Sequence, residues 1–290
     1  MDQTDLRLCR SLLFLPASNP RAIEKARTLA ADMIVLDLED AVKEEDKASA
    51  REAVVAATRE GYGGRPVAIR VNAFGSLHYG EDVVAVRKCA AEFVVLPKAG
   101  SAKEVHDVGW LIAKPVLAMI ETPQAVIAAA AIAPASAGLI AGTNDLAAGL
   151  GLSAGEARRG MVYALQRIVL AARAGGVAAF DGVYNRLEAD DGLAAECAEG
   201  RAYGFDGKSV IHPSQIETVN RLFGPSADEI EAAERLIAAA TGGAERHEGG
   251  MIEALHVDQA RALIAKARPL TAGSPGSSPG SPAAQDERNR

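Results

Sequence analysis

Charged and polar side chains recur at one kind of place in this 290-residue chain, just behind a short apolar run. MIVLDLED (33–40) ends in Asp37, Glu39 and Asp40, and PVAIRVN (66–72) in Arg70 and Asn72. EFVVLPKAG (92–100) carries Pro97-Lys98, KPVLAMIET (114–122) carries Glu121-Thr122, and SAGLIAGTND (136–145) carries Asn144-Asp145. GVAAFDGV (176–183) holds Asp181, and DGKSVIHP (206–213) holds Lys208, Ser209 and His212. Carboxylates gathered closely repel and raise one another's pKa unless a cation offsets them, so the pattern points to a hard metal with oxygen ligands. Mg²⁺ is the simplest candidate, since two protein carboxylates with the other positions left to water and substrate oxygens suit it. The His and Cys ligands that zinc prefers are scarce.

The elements that must position these groups follow from the runs themselves. With RSLLFLPAS (10–18) they number eight, and most are continuously apolar, as strands buried on both faces are. Between most of them lie helix-like segments at 21–31, 43–59, 79–90, 101–110, 122–133, 153–174 and 188–203, the first opened by Asn19 and Pro20. Eight strands alternating with helices predict a (β/α)₈ TIM barrel. A doubly wound open sheet is the alternative, but no G-x-G-x-x-G follows any strand. In such a barrel the C-terminal strand ends line the active site, which is where these polar residues fall.

Each residue also has an ordinary role available. Glu39 and Asp40, Glu121, or Asp145 could stabilise the start of a following helix. Arg70 could be a salt-bridge partner, and Lys98 could face the barrel interior or the surface. His212, restricted by Pro213, reads as structural. These roles explain the residues one at a time and leave their joint placement unexplained.

The barrel is expected over residues 1–224 and a C-terminal helical extension or lid over 225–268, with helix-like stretches at 227–240 and 251–267 around Gly242-Gly243. Half of residues 269–290 are Pro, Gly or Ser, so this tail is expected to be disordered. Composition narrows the function classes. Hydrophobic residues make up 49% and charged residues 24%, which excludes a wholly disordered chain. A net charge of −7 gives nucleic acid or an anionic membrane no global attraction, so a small-molecule partner is expected. The longest alanine-rich apolar stretch, Ala125 to Ala133, is too short to span a bilayer, which takes roughly 20 residues. The N-terminal stretch is poor secretory-signal architecture, and three scattered cysteines suggest no disulfide framework, so a cytoplasmic protein is expected.

Seven stretches in order carry a family resemblance: RSLLFLPASNPRAIEKA (10–26), VLDLEDAV (35–42), IRVN (69–72), VVLPKAG (94–100), IETPQA (120–125), GTNDLAAGLG (142–151) and GKSVIHPSQI (207–216). They resemble the citrate lyase beta-subunit-like proteins of the HpcH/HpaI aldolase superfamily, which includes malyl-CoA and citramalyl-CoA lyases. The resemblance implies a (β/α)₈ barrel, Mg²⁺ dependence, and an acyl-CoA substrate whose carbon–carbon bond is cleaved to acetyl-CoA and a 2-oxo acid. It also implies the site. Glu121 and Asp145 match metal-ligand positions, and Glu39 and Asp40 match an acidic pair that orients metal-bound water. Arg70 matches an arginine that reaches substrate oxygens, and the backbone around Asn144 and Asp145 would receive the substrate carboxylate. Residues Arg10 to Lys25 match a region near CoA.

Such a cleavage leaves a thioester enolate, which Arg70 can stabilise while Mg²⁺ acts as a Lewis acid on the hydroxyl. A proton must then reach the enolate carbon. The resemblance implies a lid aspartate in an M-I-D-x-x-H stretch, exchanged between subunits of a homo-oligomer, trimer or hexamer. This chain reads GGMIEALHV, with Glu253 at that position. The longer side chain leaves open a carbon–carbon lyase, a malyl-CoA-type thioesterase, or a weakened catalyst. A citryl-carrier lyase beta subunit and a non-catalytic acyl-CoA-binding paralogue are further alternatives.

Overall fold

The computed structural model describes residues 5–153, 155, 157–240, 245–247 and 250–267. The eight runs form strands β1 (Ser11–Pro16), β2 (Met33–Asp37), β3 (Val67–Arg70), β4 (Phe93–Leu96), β5 (Val116–Ile120), β6 (Gly138–Ala141), β7 (Ala178–Asp181) and β8 (Gly207–Val210). Each pairs in parallel with its neighbour in sequence and β8 pairs with β1, closing the barrel. The register sets Asp37 opposite Arg70 and Arg70 opposite Val95, so side chains from successive strands meet at one level near the barrel mouth.

Alternation along the strands divides the apolar core in two. Leu12, Met33, Val35, Ala68, Phe93, Val95, Leu117, Met119, Ile140, Ala178 and Phe180 fill the barrel interior. Their strand neighbours, such as Leu13, Ile34, Leu36, Ile69, Val94 and Leu96, join the larger cluster between strands and helices. The interior is therefore a packed floor beneath the strand ends rather than a channel. Truncating Phe180, which is fully buried, removes contacts worth about 3–5 kcal/mol.

The surrounding helices are α1 (Pro20–Ala26), α2 (Lys47–Glu60), α3 (Tyr79–Val86), α4 (Ala102–Ile112), α5 (Pro123–Ile132), α6 (Thr143–Gly149), α7 (Ala157–Gly160), α8 (Val162–Ala174), α9 (Asp191–Tyr203) and α10 (Gln215–Phe223). Their starts are written in local chemistry. Asn19 caps α1 by accepting from the Ala22 N–H, with Pro20 in the first turn, and Thr122 does the same for α5 through Ala125. Because Thr122 takes the cap, Glu121 is not needed there. The single helix expected at 153–174 is instead α7 followed by α8, with Met161 between them.

Beyond α10 come α11 (Ala227–Ala239), an antiparallel pair β9 (Glu245–His247) and β10 (Gly250–Ile252), and α12 (Ala254–Lys266). The helix expected from Met251 thus begins only after β10. Helices α11 and α12 pack on each other, and α12 also reaches the 3₁₀ turn Leu6–Leu8. The Lys266 ammonium donates to the Asp206 carbonyl at 2.5 Å, just before β8, which moors the end of α12 beside the N-terminal strand ends. The Gly242-Gly243 break and the tail expected to be disordered at 269–290 lie outside the described residues. No helix among the described residues is long and apolar enough to cross a membrane.

Candidate active site

At the C-terminal strand ends a cavity of about 390 Å³ opens above the packed floor. Asp37, Asp40, Arg70, Glu121, Asn144 and Asp145 line its charged and polar side. Phe14, Pro16, Met119, Val183, Asn185 and Ile211 line much of the rest.

Arg70 is the hinge of the charged side. Its Nε and Nη2 donate to the two oxygens of Asp37 at 2.8 and 2.5 Å, and its Nη1 lies 3.0 Å from Glu39 Oε2 and 4.0 Å from Asp40. The guanidinium also stands over the Phe14 ring at 5.6 Å. A fork held by a buried carboxylate keeps one face of the cation fixed and turns the other toward Glu39 and the cavity. Asp37 in turn accepts from the Glu39 and Ala41 N–H groups, which fixes the loop that carries Glu39 and Asp40. Those two residues therefore do not start a helix, since α2 begins only at Lys47.

Glu121 is buried and accepts the Lys98 N–H at 2.6 Å. Burial, with Glu39 and Asp145 nearby, outweighs that hydrogen bond and Arg70 and pushes its pKa up to about 7. Gly142 makes the arrangement possible, because a Cβ there would collide with the Glu121 side chain. Burial likewise raises the pKa of Glu39, against the pull of Arg70 and Lys98. Its Oε2 is buried without a hydrogen bond despite the nearby guanidinium. Asp145 sits in the first turn of α6, with its side chain 42% exposed toward the mouth.

Lys98 belongs to this group. Its Nζ lies 3.1 Å from Glu39 Oε1 and 3.5 Å from Asp145 Oδ2. Its backbone has φ of 51°, a region costly for a residue with a Cβ, by about 1–3 kcal/mol. Burial disfavours the ammonium, yet Glu39, Asp40 and Asp145 hold its pKa above the ordinary lysine value.

Arg70, Glu39, Asp40, Glu121, Asn144 and Asp145 thus come together at one mouth. Glu253 does not join them. It precedes α12, is exposed, and donates its own N–H to His256 Nδ1 at 3.0 Å. Four other strand-end residues do not line the cavity. Asp181 and Lys208 point outward and form a buried ionic cluster with Arg158, Glu196 and Glu199, because their strand positions alternate with the inward Phe180 and Ser209. Asn72 is pinned between Asp82 and Lys47. His212 bonds to Ser214 within a turn.

Two residues that sequence reasoning did not single out complete the picture. Lys47, buried on α2, donates to the Leu38 and Glu39 carbonyls and to Asn72, each at 2.8 Å, and so holds the acidic loop from behind. Asn185 pairs its amide reciprocally with Asn144 across the cavity rim at 2.7 and 3.1 Å. Neither follows an apolar run closely enough to be read as a strand end.

The donor set is all oxygen. Among the described residues no three His, Cys, Asp or Glu side chains converge tightly enough to hold a metal unaided. Glu121 and Asp145 with open positions therefore fit a hard divalent cation that keeps water or substrate oxygens as its other ligands.

The charged groups at the mouth all come from β2 through β6 and the loops that follow them, whereas β7, β8 and β1 contribute apolar and neutral lining.

Comparisons with known proteins identify relatives that span most of the chain. The family model for HpcH/HpaI aldolase/citrate lyase matches residues 10–213. A (3S)-malyl-CoA thioesterase of Cereibacter sphaeroides is 43% identical over 275 residues, covering 91% of this chain and 96% of that protein. The citrate lyase subunit beta of Haemophilus influenzae is 34% identical, covering 91% and 98%. The crystal structure of CitE from Mycobacterium tuberculosis with magnesium, acetoacetate and coenzyme A superposes with a TM-score of 0.76 at 34% identity, covering 90% of this chain and 99% of that one.

Proposed function

Because the chain belongs to the HpcH/HpaI aldolase/citrate lyase family, we propose that it is a Mg²⁺-dependent enzyme of malyl-CoA-type thioesters, and that it hydrolyses the thioester. The observation that carries the substrate class is the mouth cluster itself, where Arg70 stands among Asp37, Glu39 and Asp40 beside Glu121 and Asp145. The hydrolytic outcome is supported by the 43% identity to malyl-CoA thioesterase over nearly the whole of that protein.

Glu121 and Asp145 would hold the Mg²⁺, which would supply Lewis acidity to substrate oxygens when bound. Around it this chain's residues divide the work. The first turn of α6 leaves the N–H groups of Asn144 and Asp145 without helical acceptors, so they can receive the substrate's free carboxylate. Arg70 presents its remaining donor face to the thioester oxygen as negative charge develops there. Glu39 and Asp40 orient the attacking water. The water oxygen bonds to the thioester carbon, the carbon–sulfur bond breaks, and the departing thiolate takes up the proton.

Carbon–carbon cleavage to acetyl-CoA and a 2-oxo acid is the second reading, favoured by the same position of Arg70, which suits a thioester enolate. It additionally needs a proton at the enolate carbon, which in this chain falls to Glu253. Since Glu253 stands apart from the cluster, that acid would act from a neighbouring copy in a homo-oligomer. Incubation with (3S)-malyl-CoA and Mg²⁺, followed by mass spectrometry, separates the readings. Free CoA with malate, lost on chelation, is expected. Acetyl-CoA with glyoxylate would establish the lyase instead, and turnover indifferent to chelator would remove the Mg²⁺.

A further inference from the structure

Lys98 touches carboxylates borne by three different parts of the barrel. Its ammonium lies 3.1 Å from Glu39 after β2 and 3.5 Å from Asp145 after β6, and its backbone N–H donates to Glu121 after β5 at 2.6 Å. Its ammonium meets the site through the carboxylates of Glu39 and Asp145. Its left-handed backbone is a conformation in which asparagine is far commoner than lysine. The chain therefore keeps a strained, charged residue at a position where a neutral one would sit more easily.

We propose that Lys98 is a built-in monovalent cation that weakens the divalent site at Glu121 and Asp145 and so keeps its metal exchangeable. The inference rests on the reading of those two residues as the metal ligands. A positive charge 3.5 Å from Asp145 offsets part of the field that draws in an ion of charge +2, and it repels that ion directly. The Lys98 N–H draws on Glu121 in the same sense. Glu39 holds the ammonium in place at 3.1 Å, while Arg70, the other cation of the group, gives Nε and Nη2 to Asp37 and turns Nη1 to Glu39. Lys98 is thus a positioning and tuning residue, and its signature lies in metal affinity.

The test measures Mn²⁺ and Mg²⁺ binding by calorimetry, with free Mn²⁺ followed by electron paramagnetic resonance, in the full-length protein. Lys98→Asn removes the charge, retains the backbone N–H and tolerates the positive φ. It is expected to bind the divalent ion more tightly by roughly ten-fold. Lys98→Arg, which keeps the charge, is expected to stay close to the wild-type Kd. Lys98→Gln provides a second neutral variant should Lys98→Asn misfold by circular dichroism. Neutral variants that bind equally or more weakly would overturn the role of Lys98. Glu121→Gln tests the premise separately: if it binds metal as the wild type does, the ligand assignment fails whatever the lysine variants show.

Discussion

Glu121 has a pKa pushed up to about 7 by burial and by its acidic neighbours, so in the metal-free protein the folded state favours its protonated form. The sign follows from linkage. A carboxyl with a raised folded pKa gives its full stabilising contribution below its unfolded pKa and loses it as pH rises through about 7. On the proposed assignment of Glu121 as a metal ligand, a divalent ion needs the deprotonated form and displaces that proton. The increase in Tm caused by Mg²⁺ is therefore expected to be small near pH 6 and to grow toward pH 8, as scanning fluorimetry with and without MgCl₂ would show. An increase that is flat across that range, or that survives in Glu121→Gln, would count against this account. At this scale the sequence was most informative where a polar group directly follows an apolar run. Glu39, Arg70, Glu121 and Asp145 were visible for that reason. Asp181 and Lys208 obey the same rule yet face outward, because strand alternation decides the face and a run of apolar residues on both sides hides its phase. Lys47 and Asn185 were hidden because a helix lysine and a loop asparagine carry no local mark of what they will touch.

The elements depend on charges that never meet substrate. Lys208 and Asp181, adjacent across β7 and β8 at 3.0 Å and fully buried, tie the strands to Arg158 on α7 and to Glu196 and Glu199 on α9. Burial alone would raise the Asp181 carboxyl, but Lys208 and Arg158 hold it below the usual range. Its contribution is thus present at neutral pH and is lost as pH falls through that depressed pKa. Lys208→Met is expected to cost about 3–5 kcal/mol, because it leaves a buried carboxylate short of its partner. Denaturant unfolding measures the loss, and Asp181→Asn in the same chain should recover part of it. A loss in the double variant equal to the sum of the losses in Lys208→Met and Asp181→Asn alone would mean that the pair is not coupled. The eight strands and most helices were legible from apolar runs and capping residues, whereas the break between α7 and α8 was not, since apolar periodicity continues across it.

For the whole molecule, the end of α12 is tied near the start of β8 by Lys266, while Glu253 at its beginning is exposed and apart from the cavity. On the reading that Glu253 serves a neighbouring copy, mixing Glu121→Gln with Glu253→Gln protein under conditions that exchange subunits is expected to restore part of the turnover that each lacks. A mixture no more active than its components, in a protein that light scattering shows to be monomeric, would confine the chemistry to one chain. Barrel closure and the packed floor were foreseeable from eight regular repeats of strand and helix. The course of the C-terminal segment was not, because amphipathic helices such as α11 and α12 specify that a face is buried without specifying against what.

The confinement of charge to β2 through β6 has a consequence for how such a molecule can change. The remaining arc, at positions such as Val183 and Ile211, shapes the cavity without holding any of the charged groups. Mutations there can enlarge, narrow or re-line the chamber for a longer or branched acid while the charged assembly remains intact. New specificities are therefore reachable by single tolerated steps in one arc, whereas the opposite arc, interlocked through contacts such as Gly142 against Glu121, changes only in concert.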